Sequence, residues 1–440
     1  MRLRYRFLPA FAVGAITFSL AVCSQAQTYN ILYTFGAYTG DGLGADGALM
    51  FDGAGNLYGT TGGGGNFTNI NCANYGCGTV FELSPAVGGG WTETILHSFN
   101  WNDGAYPNGS LVMDAAGNLY GTTSGGGPYT CNIGIEYFGC GTIFELSPTS
   151  SGTWTETTLY AFTGGLDGDV PGVGLVFDKA GNLYGTTFHG GRSTLGVVFQ
   201  LAPNGSGGWT ENSIYTFRLS TGWGSNAPLV FDSAGNLYGT TVEGGPTTSC
   251  ANGCGVVYEL TPSSSGKWTE KIIHNFNRLN GNASESGLTF DSAGNLYGTT
   301  VAGGNVGLCL KAGCGTVFEL SPNSTGGWKQ TRMFKFVDSN GASPSAGVII
   351  DASGNVYGTT SQGGDLTTCS PAVGCGVVYK LTPNPTGWTE TVLHRFGTTA
   401  TDGIQPRSSP IFDSSGNLYG TTSPGTSVPG SPGTVYEITP

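Results

Sequence analysis

Eleven residues, Phe231-Asp232-Ser233-Ala234-Gly235-Asn236-Leu237-Tyr238-Gly239-Thr240-Thr241, recur with small changes seven times along the chain, and nothing else in it restricts the fold as tightly. The tyrosine of each copy falls at Tyr58, Tyr120, Tyr184, Tyr238, Tyr297, Tyr357 and Tyr419, a spacing of 54 to 64 residues. Self-similarity at such a period marks an array of like units that bury their apolar faces against one another. The 440 residues then make one domain rather than two or three.

Each copy holds four β-type segments, well shown by the second. Segment A is Ser110-Leu111-Val112-Met113-Asp114 and segment B is Asn118-Leu119-Tyr120-Gly121-Thr122-Thr123. Segment C is Gly141-Thr142-Ile143-Phe144-Glu145-Leu146, and D is Trp154-Thr155-Glu156-Thr157-Thr158-Leu159-Tyr160. Asp114 to Asn118 reads as an A–B hairpin, with Gly117 free to take a positive φ. Segment A is continuously apolar whereas D alternates, so the unit grades from dry to wet. That grading predicts an all-β, seven-bladed β-propeller with A innermost in each antiparallel blade. The glycine inside each B segment is expected where neighbouring blades crowd.

The two ends of the chain support a closed ring. The D tryptophan occurs six times, and the C segment Val435-Tyr436-Glu437-Ile438-Thr439 has no D after it. The missing D stands at the other end, as Tyr29-Asn30-Ile31-Leu32-Tyr33-Thr34-Phe35. Blade seven is therefore predicted from residues 29–35 and 409–440, which leaves no open edge between blades.

Arg2, Arg4 and Arg6 precede an apolar run from Phe7 to Val22, and Ser24-Gln25-Ala26 follows with small residues where a signal peptidase reads. This predicts an export signal over 1–26 and a secreted or periplasmic domain over 27–440. A lipoprotein held through Cys23 stays open, although Val22 is a poor neighbour for it. No later run approaches the length of a membrane span. Losing three arginines and no acid moves the net charge from −12 to −15. Such a surface repels phosphate backbones, so nucleic acid is not an expected partner.

Ten further cysteines form local pairs before segment C: Cys72 with Cys77, Cys131 with Cys140, Cys250 with Cys254, Cys309 with Cys314 and Cys369 with Cys375. The B–C loops that carry them hold 13 to 17 residues, and the two without hold 8 and 10. In an exported chain this pattern reads as five disulfides pinning long loops. Zinc would need four ligands at regular spacing, which these pairs lack, and no cofactor or metal is expected.

Candidate functional residues are those that break the repeat on the face shared by the B–C and D–A loops. The second position after Thr-Thr varies as Gly63, Gly125, His189, Glu243, Ala302, Gln362 and Pro424. His189, Arg192 and Glu243 on one rim would suit anion binding or proton transfer; plain variable loop tips are the alternative. Trp101, Tyr106 and Trp223 stand outside the repeated tryptophan position and would suit stacking on sugar rings, or packing across a blade. His97, His274 and His394 share a D slot with Tyr33, Tyr160, Tyr215 and Phe334, which reads as packing. The seven aspartates ending segment A (such as Asp52 and Asp232) read as turn caps rather than paired catalytic or calcium-binding acids.

The words D-x-A-G-N-L-Y-G-T-T, G-C-G-T-V-F-E-L-S-P and W-T-E-T-x-L-H-x-F, in that order over the whole mature chain, resemble the GloVer-type tandem repeat of exported bacterial "choice-of-anchor" proteins. The resemblance implies an exported repeat protein of unassigned activity. The chain stops at Pro440 without the hydrophobic tail many such proteins carry, which favours free secretion. The A–B words are also similar in style to NHL and gluconolactonase-like propellers, whose metal-binding acids have no residue-by-residue match here. The function expected is a binding scaffold for an extracellular glycan or protein at the loop face. The alternative is a hydrolase or lyase acting on polysaccharide or lactone.

Overall fold

Every copy of the repeat forms one antiparallel sheet, and the seven sheets stand as blades around a central channel that all of them line. The structure is a computed structural model that describes residues 27–133, 136–367, 369, 373–399, 401–423 and 433–439. The predicted export signal, Cys23 and Pro424 lie outside the described residues. In blade two the strands run Val112–Met113, Leu119–Thr123, Thr142–Pro148 and Trp154–Ala161, from the channel outwards. Strand A is shorter than its apolar segment suggests, with two paired residues in each blade. Blade three adds a further strand, Asp169–Pro171.

Blade seven is closed as predicted. Thr28–Thr34 pairs antiparallel with Thr434–Thr439, Thr28 facing Thr439 and Thr34 facing Thr434. Among the described residues, no helix is long and apolar enough to cross a membrane.

The repeated words explain the frame. In the A–B hairpin Asp232 Oδ1 accepts from the backbone N–H of Ala234 (2.8 Å) and Asn236 (2.9 Å). Its Oδ2 accepts from Asn236 Nδ2 (2.7 Å) and Tyr238 OH (3.1 Å). Gly235 takes φ 88° in the turn, a conformation a side chain resists. All seven aspartates accept from the tyrosine six residues on. Burial disfavours the charged form, but these hydrogen bonds outweigh it and hold Asp52, Asp114, Asp178, Asp232, Asp291 and Asp351 below the ordinary value. The turn-capping reading holds.

The core lies between blades. Tyr58, Val80 and Phe99 of blade one pack with Leu111, Leu119 and Phe144 of blade two, and Tyr419 and Val435 of blade seven pack with Leu57 and Phe81 of blade one. Each such interface buries side chains worth about 1.5–3 kcal/mol apiece. In six of the seven copies the first threonine of Thr-Thr adds a polar staple to the next blade: Thr60 Oγ1 donates to Gly109 O at 2.8 Å, Thr122 to Gly172 O at 2.8 Å, and Thr240, Thr299, Thr359 and Thr421 do likewise.

The B-strand glycine has a different reason from the one expected. A Cβ on Gly59 would lie 2.5 Å from Phe81 Cζ, on Gly185 2.5 Å from Phe199 Cζ and on Gly239 2.4 Å from Tyr258 OH. Those rings come from strand C of the same blade, directly across the ladder. The glycine makes room for its own partner strand rather than for a neighbouring blade.

All five predicted cysteine pairs are joined: Cys72 to Cys77, Cys131 to Cys140, Cys250 to Cys254, Cys309 to Cys314 and Cys369 to Cys375, with Cα–Cα distances of 5.1 to 5.6 Å. Reading them as pins for long loops is incomplete, however. The second cysteine of every pair, Cys77, Cys140, Cys254, Cys314 or Cys375, is fully buried and belongs to an inter-blade core. Cys77 packs in the cluster of Phe99 and Ala105, Cys140 in that of Phe162, and Cys254 in that of Phe276. Cys314 joins the cluster of Phe336, and Cys375 that of Phe396. The five bridges therefore tie each long loop to the core and not merely to itself. The reason is position, because the second cysteine stands directly before strand C, the most buried strand of its blade.

Candidate functional site

On the loop face each D–A connection folds back against the following B–C loop, and a short two-stranded contact results. The facing residues are Leu43 and Gly63, Ala105 and Gly125, Asp169 and His189, Trp223 and Glu243, Asn282 and Ala302, and Ala342 and Gln362. In the six blades where it is described, the variable position after Thr-Thr is therefore anchored in a ladder, and its partner varies with it. Trp223 N–H donates to Glu243 O at 2.8 Å, and Glu243 N–H returns to Trp223 O at 3.1 Å.

Blades three and four carry the chemically richest pairs. His189 Nδ1 lies 4.0 Å from Asp169 Oδ1, and both atoms are buried without a hydrogen-bond partner. Asp169 is only 8% exposed; burial raises its pKa, which His189 counters and Asp167 reinforces. Next door, Trp223 Nε1 is also buried and unpartnered, while Glu243 Oε2 accepts from Asn252 Nδ2 at 3.0 Å. Phe188 and Gly224 bring these blades together, since a Cβ on Gly224 would lie 2.9 Å from the Phe188 ring. Arg192 is exposed on the loop after His189.

Trp101 and Tyr106 meet edge to face at 6.3 Å and lean on the Cys72–Cys77 cluster. Both have positive φ, 79° and 59°, so the D–A connection is held in an unusual shape at this point. They are partly buried, each with one face against the frame.

Gln362 belongs elsewhere. It lines the mouth of the central channel, a cavity of about 410 Å³, and its Oε1 accepts from Ser343 Oγ at 3.2 Å. None of the other six candidates lines that cavity.

The channel wall has an order that the sequence reading missed. All of its charged and amide side chains except Gln362 fall at one register, six residues before a hairpin aspartate, where the seven copies read Asp46, Asn108, Gly172, Asn226, Glu285, Ser345 and Arg407. All of these but Gly172 line the cavity. Asp46 accepts from Ser423 Oγ. Burial raises the pKa of Asp46 and of Glu285, and the Arg407 guanidinium opposes the rise at both. Among the described residues Arg407 has no ion pair within 4.0 Å, so its charge acts on both carboxylates without pairing to either. Variation at a fixed offset from an invariant Asp was visible in the sequence; what it surrounds was not.

The D-strand histidines are partnered. His97 Nε2 lies 3.1 Å from Asp103 Oδ2, His394 Nε2 3.2 Å from Asp402 Oδ2, and His274 Nε2 3.2 Å from Asn280 Nδ2. Each also packs edge-on against the phenylalanine two residues later.

No curated protein matches the chain. Among solved structures it is similar to PorZ, a bacterial surface component of the type-IX secretion system of Porphyromonas gingivalis, at 12% identity and TM-score 0.51. That likeness covers 90% of this chain and 47% of PorZ, so the chain spans about half of PorZ's length, and at this identity the fold alone is shared. A luciferin-regenerating enzyme (17% identity, TM-score 0.44, 76% of this chain and 91% of that one) lies further off. So does a protein of unknown function from Dyadobacter fermentans (10% identity, TM-score 0.45, 93% and 96%). The family model for the Gloeobacter/Verrucomicrobia repeat matches residues 16–176, 129–370 and 309–440, and with seven like blades built on that repeat, the chain belongs to this family.

Proposed function

We propose that this is an exported binding propeller that holds a glycan at the channel mouth on its loop face. The observation that carries this reading is the ring of channel residues. The frame repeats almost unchanged, yet one inward register holds Asp46, Asn108, Asn226, Glu285, Ser345 and Arg407. Carboxylates accept from sugar hydroxyls, a guanidinium donates to them, and amides do both. The cavity of about 410 Å³ has the size of a small-ligand pocket. Trp101, Tyr106, Trp223, His189, Arg192 and Glu243 would extend the contact outward across the loop face. Five disulfides fit an extracellular or periplasmic setting.

A glycan array probed with residues 27–440, followed by titration of the best ligand, tests the proposal. Arg407→Ala and Glu285→Gln are each expected to weaken binding about tenfold or more, the loss of one hydrogen bond to a charged group. If no glycan is retained, or both variants bind as the parent does, the proposal fails. A protein captured through the same residues would favour the protein-ligand reading instead.

One observation favours a second reading, a hydrolase or lyase acting on polysaccharide or lactone. The Asp169–His189 pair has the make-up of a general acid/base unit. Release of new reducing or unsaturated ends that His189→Ala abolishes would support it.

A further inference from the structure

The outer strands of adjacent blades meet through a repeated three-residue plan. A side chain in the His97 slot meets one from the D–A connection that follows, and both face the third residue of the next blade's outer strand. At most junctions a donor spans the gap. Tyr33 OH reaches Glu93 at 2.8 Å, Gln330 Nε2 reaches Asn280 O at 3.0 Å, Asn340 Nδ2 reaches Glu390 at 2.8 Å and Tyr29 OH reaches Asp402 at 2.8 Å.

The junction between blades one and two differs. Its three slots hold His97, Asp103 and Glu156, with one donor atom of each lying within 4.8 Å of the others, and all three side chains are partly buried. Asp103 is fixed by Asn100, whose backbone N–H and Nδ2 both donate to it at 2.9 Å. Glu156 accepts from Thr158 Oγ1, on its own strand, at 3.0 Å. Two carboxylates from adjacent blades and an imidazole thus converge here, and among the described residues no hydrogen-bond donor ties Glu156 to the opposite side.

We propose that this junction binds a divalent cation and that Zn²⁺ fits it best. One imidazole nitrogen with two carboxylate oxygens is a mixed set that suits zinc, whereas calcium and magnesium prefer oxygen alone. Three protein ligands leave a position for water. The other convergence of such groups among the described residues, Cys309, Cys314 and Asp338, has both sulfurs in a disulfide. Bound Zn²⁺ would supply the missing cross-blade tie.

The repeat itself provides conservative test variants, because the same slots hold Phe334 in place of His97 and Gln330 in place of Glu156. Residues 27–440, stripped with a chelator, are titrated with ZnCl₂ by calorimetry and melted with and without it. The expected result is one Zn²⁺ per chain and a higher Tm. His97→Phe and Glu156→Gln, each folded by circular dichroism, should bind at least about tenfold more weakly and lose the Tm rise. Absence of saturable Zn²⁺ binding by the parent overturns the site, and this arm decides even where a variant misfolds. Undiminished binding by both variants overturns it equally.

Discussion

Single carboxyl groups in this propeller fall into two opposed classes, and pH separates them. The hairpin aspartates sit below their ordinary pKa because backbone, Asn and Tyr donors overcome the effect of burial. Their contribution is present above the unfolded value and is lost as pH falls through the lower folded one. Glu93, Glu211 and Glu390 of the outer strands go the other way, each pushed up to about 7, mainly by burial. Once the unfolded chain has released these protons, near the ordinary value of 4.5, the folded state keeps them, so stability declines as pH rises towards 7. Thermal stability should therefore peak at about pH 5 and drop by pH 8. Glu211→Gln should shallow that drop in a calorimetric pH series, and a Tm that rises from pH 5 to 8 would contradict the assignment. The hairpin aspartates were legible in the sequence because their partners lie within six residues. The channel register was not, because Asp46, Glu285 and Arg407 become neighbours only when distant blades share an axis.

Strands B and C show how much of a blade can be read from a repeated word. The hairpin, the strand order and the turn after each Ser-Pro or Thr-Pro follow from local chemistry. The cysteine pairs were legible too, although their place in the core was not, since burial depends on the neighbouring blade. The B-strand glycine was misread, since a sequence cannot distinguish a ring pressing from the next strand from one pressing from the next blade. The consequence is testable. Gly185→Ala places a methyl group where the Phe199 ring stands and should cost about 1–3 kcal/mol as overpacking. Phe199→Leu, destabilising alone, should recover part of that loss in the double variant. Denaturant titration of the four proteins checks it, and strictly additive effects would exclude the contact.

For the molecule as a whole, the pairing of Thr28–Thr34 with Thr434–Thr439 joins segments about 400 residues apart. Closure was readable because each end lacks what the other supplies. Deleting residues 27–35 should uncover the Thr434–Thr439 edge and the cluster of Phe81, Tyr419 and Val435 that Phe35 helps to cover, and such edges recruit other chains. Size-exclusion chromatography should then show oligomers or aggregate, and a clean monomer would show that closure is dispensable. The disulfides carry the opposite logic. Their members are 4 to 9 residues apart, so each can be oxidised when its own loop has emerged, with no other blade in place. The bridges thus need only local chain, whereas the first strand has no partner until nearly the entire chain is present. A pairing between the two ends closes last and is intrinsically slow, so a chaperone assisting this fold would need to shield one strand rather than seven blades.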